Sequence, residues 1–189
     1  PNSPVVFSST ECIDIPNGII TNFKNNNVVF KGVKHIKKIS GIDLYQPSEI
    51  AIQHMSRLTE LNVRGSRSLY VLDVLNNTNL QVLNVKDCIN LGWDNTSQLF
   101  SGSLNLSNCS NLRYCDISNT GLTGLTLGEN TGSLEYFDAS NTNIDALKMV
   151  GQPYIEEVKM ANCLKLGKVE VEICSRLGKL NLANTTISE

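Results

Sequence analysis

From about residue 58 onward the chain repeats a short apolar pattern every 10 to 12 residues, and this beat restricts its fold more than any other feature. Leu58-x-x-Leu61-x-Val63 recurs as Leu69-x-x-Leu72-x-Val74 and Leu80-x-x-Leu83-x-Val85. Leu112-x-x-Cys115-x-Ile117, Leu122-x-x-Leu125-x-Leu127 and Leu134-x-x-Phe137-x-Ala139 follow. Ile144-x-x-Leu147-x-Met149, Ile155-x-x-Val158-x-Met160, Leu166-x-x-Val169-x-Val171 and Leu177-x-x-Leu180-x-Leu182 complete the series. Self-similarity at a fixed period marks a stacked repeat architecture.

Two sets alternate within this beat. The last apolar positions fall at 74, 117, 139, 160 and 182 in one set, and at 63, 85, 106, 127, 149 and 171 in the other. Each set has a period near 21–22 residues, so one coil holds two short strands, on faces A (the 74/117 set) and B. The last two apolar positions of each half-repeat are two apart and point to one side of a strand. Face A lacks a member near residue 96, where Leu91 to Phe100 reads as an irregular half-coil, and Leu104-x-Leu106 restores the register. Upstream, Ile50-x-Ile52 sits one coil before Val74, and Ile42-x-Leu44 about one coil before Val63. The repeat thus begins near Ile36 in degraded form, and Ser48 to Leu58 reads as a coil in preference to a short helix begun at Ser48.

Three residues after each last apolar position comes a small polar residue or Cys: Ser66, Asn77, Cys88, Cys109, Thr120, Thr142, Gln152, Cys163, Cys174 and Thr185 among them. Such side chains can turn inward and satisfy backbone groups of the bend. Asn occurs 23 times, as often as Leu. Asn disfavours helix and strand interiors, so the chain must contain many turns, and long helices or a coiled coil are not expected. One coil cannot bury enough surface to stand alone, so the array folds only as an array.

The unit Leu-x-x-Leu-x-Leu-x-x-(Asn/Cys/Thr)-x-Leu, plain in Leu177-Gly-Lys-Leu180-Asn-Leu182-Ala-Asn-Thr185-Thr-Ile187, resembles the leucine-rich-repeat signature. With half-repeats such as Cys115-Asp-Ile117-Ser-Asn-Thr120-Gly-Leu122, it resembles bacterial surface leucine-rich-repeat proteins, in the style of internalins and the Asn-rich proteins of Bacteroidetes. The likeness covers about residues 58–189, and extends in degraded form to about residue 36. The chain departs from that family in carrying the signature on both halves of each coil. The resemblance and the beat together imply an all-β, right-handed leucine-rich-repeat solenoid with two short parallel strands per coil, fairly straight, on an extracellular or bacterial cell surface. Residues 1–35 do not repeat and are expected to form an N-terminal β cap, from Val5-Val6-Phe7, Ile13-Asp-Ile15, Ile19-Ile20 and Val28-Val29-Phe30, leaving 36–189 as the solenoid.

Sixteen Lys+Arg against 18 Asp+Glu give no general pull toward nucleic acid or anionic lipid. No apolar run reaches the 18 residues of a membrane span. No signal peptide is visible, and a start at Pro1 suggests a processing or expression boundary. Six Cys include no Cys-x-x-Cys; five fall on repeat positions, where buried reduced thiols are expected. Cys88 and Cys109, placed on neighbouring coils about 4.8 Å apart by strand spacing, leave a disulfide geometrically open; Cys12 lies outside the repeat. His35 and His54 read as ordinary surface residues, and no catalytic, metal or cofactor site is expected. The Lys31–Lys38 cluster reads as a solvated strand edge, and the Asn-x-Ser/Thr sequons at Asn76, Asn95, Asn105, Asn108 and Asn184 as by-products of Asn-rich repeats.

Face B is outwardly bland, with Asn62, Asn84, Asn105, Thr126, Lys148 and Glu170 just before its last apolar positions. Face A carries Asp73, Asp116, Asp138, Lys159 and Asn181 there, preceded by Val71, Tyr114, Tyr136, Glu157 and Lys179. Stacking places Tyr114 beside Tyr136, Arg113 against Glu135 and Asp116 against Asp138. Tyr70, Arg113, Tyr114, Asp116, Glu135, Tyr136 and Asp138 are therefore the candidate ligand residues, since exposed Tyr and Arg dominate binding hot spots; the same Tyr pairs can instead simply stabilise a sheet. About six coils give a face of roughly 600 Å², a little below the share each partner buries in a standard interface. The expected function is non-enzymatic recognition or adhesion toward a protein or glycan. The alternatives are a structural spacer in a longer surface protein, or a polysaccharide-acting enzyme if a cleft near Trp93–Phe100 holds Asp94. The C-terminal coil offers an open edge for edge-to-edge association.

Overall fold

A computed structural model of the chain describes residues 5–8, 19–21, 28–31, 38–40, 48–52, 55–94, 96–128 and 132–187. Among these there is no helix, and the strands stack as a parallel β-solenoid with coils about 22 residues apart. No described helix is long and apolar enough to cross a membrane.

One side of the solenoid is an unbroken eight-stranded sheet. Its strands are β2 (Ile19–Thr21), β4 (Lys38–Ser40), β6 (Glu60–Asn62), β8 (Val82–Asn84), β12 (Tyr114–Asp116), β14 (Tyr136–Asp138), β16 (Glu157–Lys159) and β18 (Lys179–Asn181), in that order. The opposite side is interrupted. It begins with β1 (Val5–Ser8), β3 (Val28–Lys31), β5 (Ser48–Ala51) and β7 (Leu69–Asp73) in one parallel sheet. It resumes as β11 (Ser103–Asn105) with β13 (Gly124–Thr126), then β15 (Ala146–Val150) with β17 (Lys168–Glu172). Between them lies an antiparallel hairpin, β9 (Trp93–Asp94) and β10 (Leu99–Phe100).

The segment 1–35 contributes β1, β2 and β3 to these same ladders, which cross residue 35 without a break. Residues 48–51 form a strand, as the coil reading expects. Ile39, rather than Ile42 or Leu44, takes the inward place beside the following coil, opposite Leu61; Ile42 and Leu44 lie outside the described residues, as do Ile13 and Ile15.

The core is a set of columns, because in-register parallel stacking puts equivalent residues directly above one another. Ile39, Leu61, Leu83, Cys115, Phe137 and Val158 form the inward column of the long sheet, each fully buried. Small Cys115 lies beside large Phe137, so adjacent layers share the volume of the ring. The column ends at Leu180, which is 44% exposed on β18.

The assignment of faces needs one correction. Leu83 pairs with Cys115, 32 residues on, whereas Cys115 pairs with Phe137 22 residues on. On the other side, Asn108 reaches back 32 residues to Asn76. The 63/85 half-repeats therefore share a sheet with 117, 139, 160 and 182, and the 74 half-repeat stacks with 106. The added length, close to half a coil, is the β9–β10 hairpin. It left the 10–12-residue beat intact while exchanging the two sides.

Most of the described turns place a residue in the left-handed region two positions after the last apolar residue. Gly65, Asn76, Asp87, Asn119, Asn141, Asn162 and Asn184 take φ between 55° and 77°. Among non-glycine residues Asn and Asp visit this region most readily, which accounts for five of the 23 Asn. Backbone amides of these residues donate to the next coil, Asp87 to Ser118 O at 3.0 Å and Asn141 to Ala161 O at 2.9 Å. Their side chains also form ladders: Asn162 donates to Asn141 at 3.0 Å, and Asn184 to Asn162 at 2.8 Å.

Ile173 occupies the same position at φ 55° with its side chain 73% exposed. A β-branched residue there is strained and recovers little by burial. Ile173→Asn is expected to stabilise the fold by about 1 kcal/mol, read as a raised urea midpoint at unchanged slope. A midpoint at or below that of the parent chain contradicts this account.

Candidate functional site

The outer surface of the long sheet is built by residues that flank each inward one. Along it run Val82, Tyr114, Tyr136, Glu157 and Lys179, and beside them Asn84, Asp116, Asp138, Lys159 and Asn181. Tyr114 and Tyr136 stack in parallel, with ring centroids 4.7 Å apart and planes 5° from parallel. That separation is the strand spacing itself: identical residues one coil apart in a parallel ladder have their rings held at about 4.8 Å. Arg113 and Glu135 form an exposed ion pair at 2.7 Å, whose Coulomb gain is largely offset by solvent. The Lys159 ammonium donates to the Tyr136 hydroxyl at 3.2 Å and lies 4.9 Å from the ring centroid. Glu157 sits between Lys159, at 3.5 Å, and Lys179, at 3.8 Å.

The two aspartates have another task. Asp116 Oδ1 accepts the Ser118 amide at 3.0 Å and the Ser118 hydroxyl at 2.6 Å. Asp138 Oδ1 accepts the Ser140 amide at 2.9 Å. Their other oxygens accept the hydroxyls of Tyr114, at 3.5 Å, and Tyr136, at 3.2 Å. Both carboxylates are buried. The same Asx turn recurs at Asn62, Asp73, Asn84, Asn105 and Asn181, each accepting the amide two residues on. The row of Asp and Asn is therefore a turn-closing device, and these hydrogen bonds hold Asp116 and Asp138 in place on adjacent strands. Burial, followed by the nearby Asp116 charge, pushes the Tyr114 phenol up to about 12. The Tyr136 phenol is also raised by burial, against the opposing pull of Lys159.

Of the seven candidate residues, six come together here: Arg113, Tyr114, Asp116, Glu135, Tyr136 and Asp138. Tyr70 does not. It lies on β7, on the opposite side, and the place beside Arg113 is taken by Gln81, whose carbonyl accepts the Arg113 amide at 2.9 Å. Asp73 and Val71 move with it.

Tyr70 instead lines a cleft of about 380 Å³ beside Trp93 and Asp94, at the irregular half-coil where the sequence left room for one. The cleft lies where no ladder joins β7 to β11, and the hairpin forms one wall. Asp94 lines it and is the one carboxylate among the lining residues. Its oxygens accept the amides of Thr96 at 2.8 Å and Ser97 at 3.3 Å, capping the hairpin turn. Those hydrogen bonds hold its pKa below the usual carboxylate value. A glycosidase-type site needs two carboxyl groups across a bond, and this lining supplies one.

Among the described residues no cluster of three or more His, Cys, Asp or Glu is arranged to hold a metal. His35, His54 and Cys12 lie outside the described residues. Cys88 and Cys109 are not neighbours. The Cys88 thiol donates to Val63 O at 3.2 Å, at a turn of the long sheet, while Cys109 donates to Val74 O at 3.6 Å, at a turn of the other side. The exchange of sides at the hairpin separates them, and all five described cysteines are free. Desolvation pushes the Cys88 thiol up to about 12 and that of Cys109 to about 11.

The described residues form a parallel β-solenoid with a short hairpin set into one side. No protein-family model, curated protein or solved structure matches it.

Because thiolates are the reactive form, Cys88, Cys109 and Cys115 should resist alkylation at mildly alkaline pH while the fold is intact and react once urea unfolds it. Mass-spectrometric mapping on a Cys12→Ser background checks this. Modification of Cys88 or Cys109 in the folded chain contradicts their assigned burial.

Proposed function

We propose that the protein is a non-enzymatic recognition or adhesion module of leucine-rich-repeat type, working outside the cell or on a bacterial surface. Its ligand is a protein or a glycan, met by the outer face of the eight-stranded sheet. The stacked Tyr114–Tyr136 pair carries this reading. It is half-buried, so its position is fixed, and Arg113 and Lys159 border it with hydrogen-bond donors. Aromatic and arginine side chains held on a rigid support lose little entropy on binding and supply most of the energy of many interfaces. The ladder beneath them leaves no room for rearrangement, so recognition proceeds with little change of shape.

A structural spacer is the second reading. It is favoured by Asp116 and Asp138, whose oxygens serve the turns and the tyrosines rather than an outside partner. A polysaccharide-acting enzyme ranks below both, for want of a second carboxylate beside Asp94 in the cleft. The edge strand β18 is the surface through which copies would associate edge to edge.

The deciding experiment presents the immobilised chain to purified extracellular-matrix proteins and a glycan array. Tyr114→Ala/Tyr136→Ala is the control, its fold checked by far-UV circular dichroism. A ligand bound by the parent chain and weakened at least tenfold in the folded double variant supports the proposal. A ligand indifferent to both tyrosines removes the strip as the site, and absence of any ligand favours the spacer.

A further inference from the structure

The cleft beside the hairpin is not required by the repeat. An uninterrupted solenoid would pair β7 directly with its successor. Here the extra chain between Leu91 and Gly102 holds the two ladders apart. Gly92 donates its amide to Tyr70 O at 2.9 Å and accepts the amide of Gly102 at 2.9 Å, and Gly102 O accepts that of Thr123 at 2.9 Å. This path keeps the ladder continuous at one end of the gap, at the cost of close backbone contact. Gly92 takes φ +96°, and a Cβ on Gly102 would overlap Gly92 Cα. The Phe100 ring packs against Gly121, where any Cβ would strike it, and braces Trp93 edge-on with centroids 4.9 Å apart. The hairpin is thereby seated as a fixed wall. At about 380 Å³ the space falls in the usual range of small-molecule sites.

The composition of the wall selects among ligands. Apolar Val71, Leu91 and Leu122 and aromatic Tyr70 and Trp93 dominate the lining. The one fixed charge is the carboxylate of Asp94, and no Lys, Arg or His lines the cleft. An anion would meet the Asp94 carboxylate, and the hydroxyls of Ser101, Ser103 and Tyr70 are neutral donors that bring no positive charge to offset it. A sugar would find no Asn, Gln or Arg side chain to grip adjacent hydroxyls in a bidentate fashion. A compact cation carried on an apolar body suits all three features, because aromatic faces and a carboxylate attract it and it needs no donor.

We infer that the cleft between β7 and the β9–β10 hairpin binds a small alkylammonium group, with Trp93 and Tyr70 as aromatic walls and Asp94 as counter-ion. This site is independent of the Tyr114–Tyr136 strip on the opposite side.

Trp93 is the chain's sole tryptophan, so intrinsic fluorescence reports this site directly. The intact chain is titrated at fixed ionic strength with choline, with its neutral isostere 3,3-dimethylbutan-1-ol, with Nα-acetyl-lysine methylamide and with glucose. A saturable change with choline or the lysine amide, at least tenfold tighter than with the neutral isostere, is expected. Whichever cation is tighter tells a free quaternary amine from a peptide side chain. Asp94→Asn keeps a side-chain oxygen for the Thr96 amide, so the hairpin stays capped. It should lose most of the preference for the cation while retaining the parent's unliganded emission maximum. Equal binding of choline and its isostere, tighter binding of glucose, an unchanged preference in Asp94→Asn, or no saturable response to either cation would overturn the assignment.

Discussion

Each half-coil ends by turning the chain over a backbone that its neighbours have already removed from water, and the polar groups of that turn must be satisfied inside the stack. The residue three positions past the last apolar one does this in several ways. Thr120, Thr142 and Thr185 donate to the carbonyls of Ile117, Ala139 and Leu182 within their own turn. Cys88 and Cys163 donate instead to the preceding coil, at Val63 and Ala139. Asn77 accepts the Met55 amide and donates to Ile52 O and Val74 O. Thr, Cys and Asn share this position because each is small and brings a donor to a buried carbonyl. The Asx turn before it and the left-handed residue beside it complete the device. Adjacent coils can then stack at strand spacing, and every column of the core follows from that spacing.

This requirement made most of the fold legible in the sequence. The inward residue and the turn residue are both set by the backbone, so their chemistry repeats wherever the geometry does. What the sequence did not reveal was which side a half-coil occupies. A regular half-coil and the β9–β10 hairpin consume nearly the same length of chain. The apolar beat passes through the hairpin unchanged, and only the pairing of Leu83 with Cys115 shows that the sides have exchanged. Two expectations failed together for this reason. Tyr70 left the tyrosine face, and Cys88 and Cys109 parted to opposite turns. Pairs lying wholly beyond the hairpin, Tyr114 with Tyr136 and Arg113 with Glu135, kept their expected partners because no insertion separates them.

The same device narrows what the regular surface has left to offer a partner. Residues just before the last apolar position look like an outward polar row in the sequence. In the fold most of them face back onto the amide two residues ahead, and Asp116 and Asp138 also hold the tyrosine hydroxyls. Lys159 breaks the row: it has no oxygen to close a turn and reaches across to Tyr136 instead. The outward groups not absorbed by the backbone are therefore the tyrosine rings, the Arg113–Glu135 pair and the lysines around Glu157.

Regular positions in a repeat are explained by stacking, so an irregular one needs its own account. The tyrosine pair lies within the ladder, and its ring contact stabilises the sheet whether or not a ligand arrives. The hairpin stabilises no ladder of that kind. It interrupts one, leaves a cleft in its place, and depends on three glycines at close approach, at positions 92, 102 and 121. A ten-residue insertion at random would project into solvent without affecting the coils on either side. This one is drawn down onto the stack by Phe100 over Gly121 and by backbone hydrogen bonds at Gly92 and Gly102. The cleft wall is thus held by the same kind of backbone pairing that holds the coils, which gives Trp93 and Asp94 the fixed placement that a binding site requires.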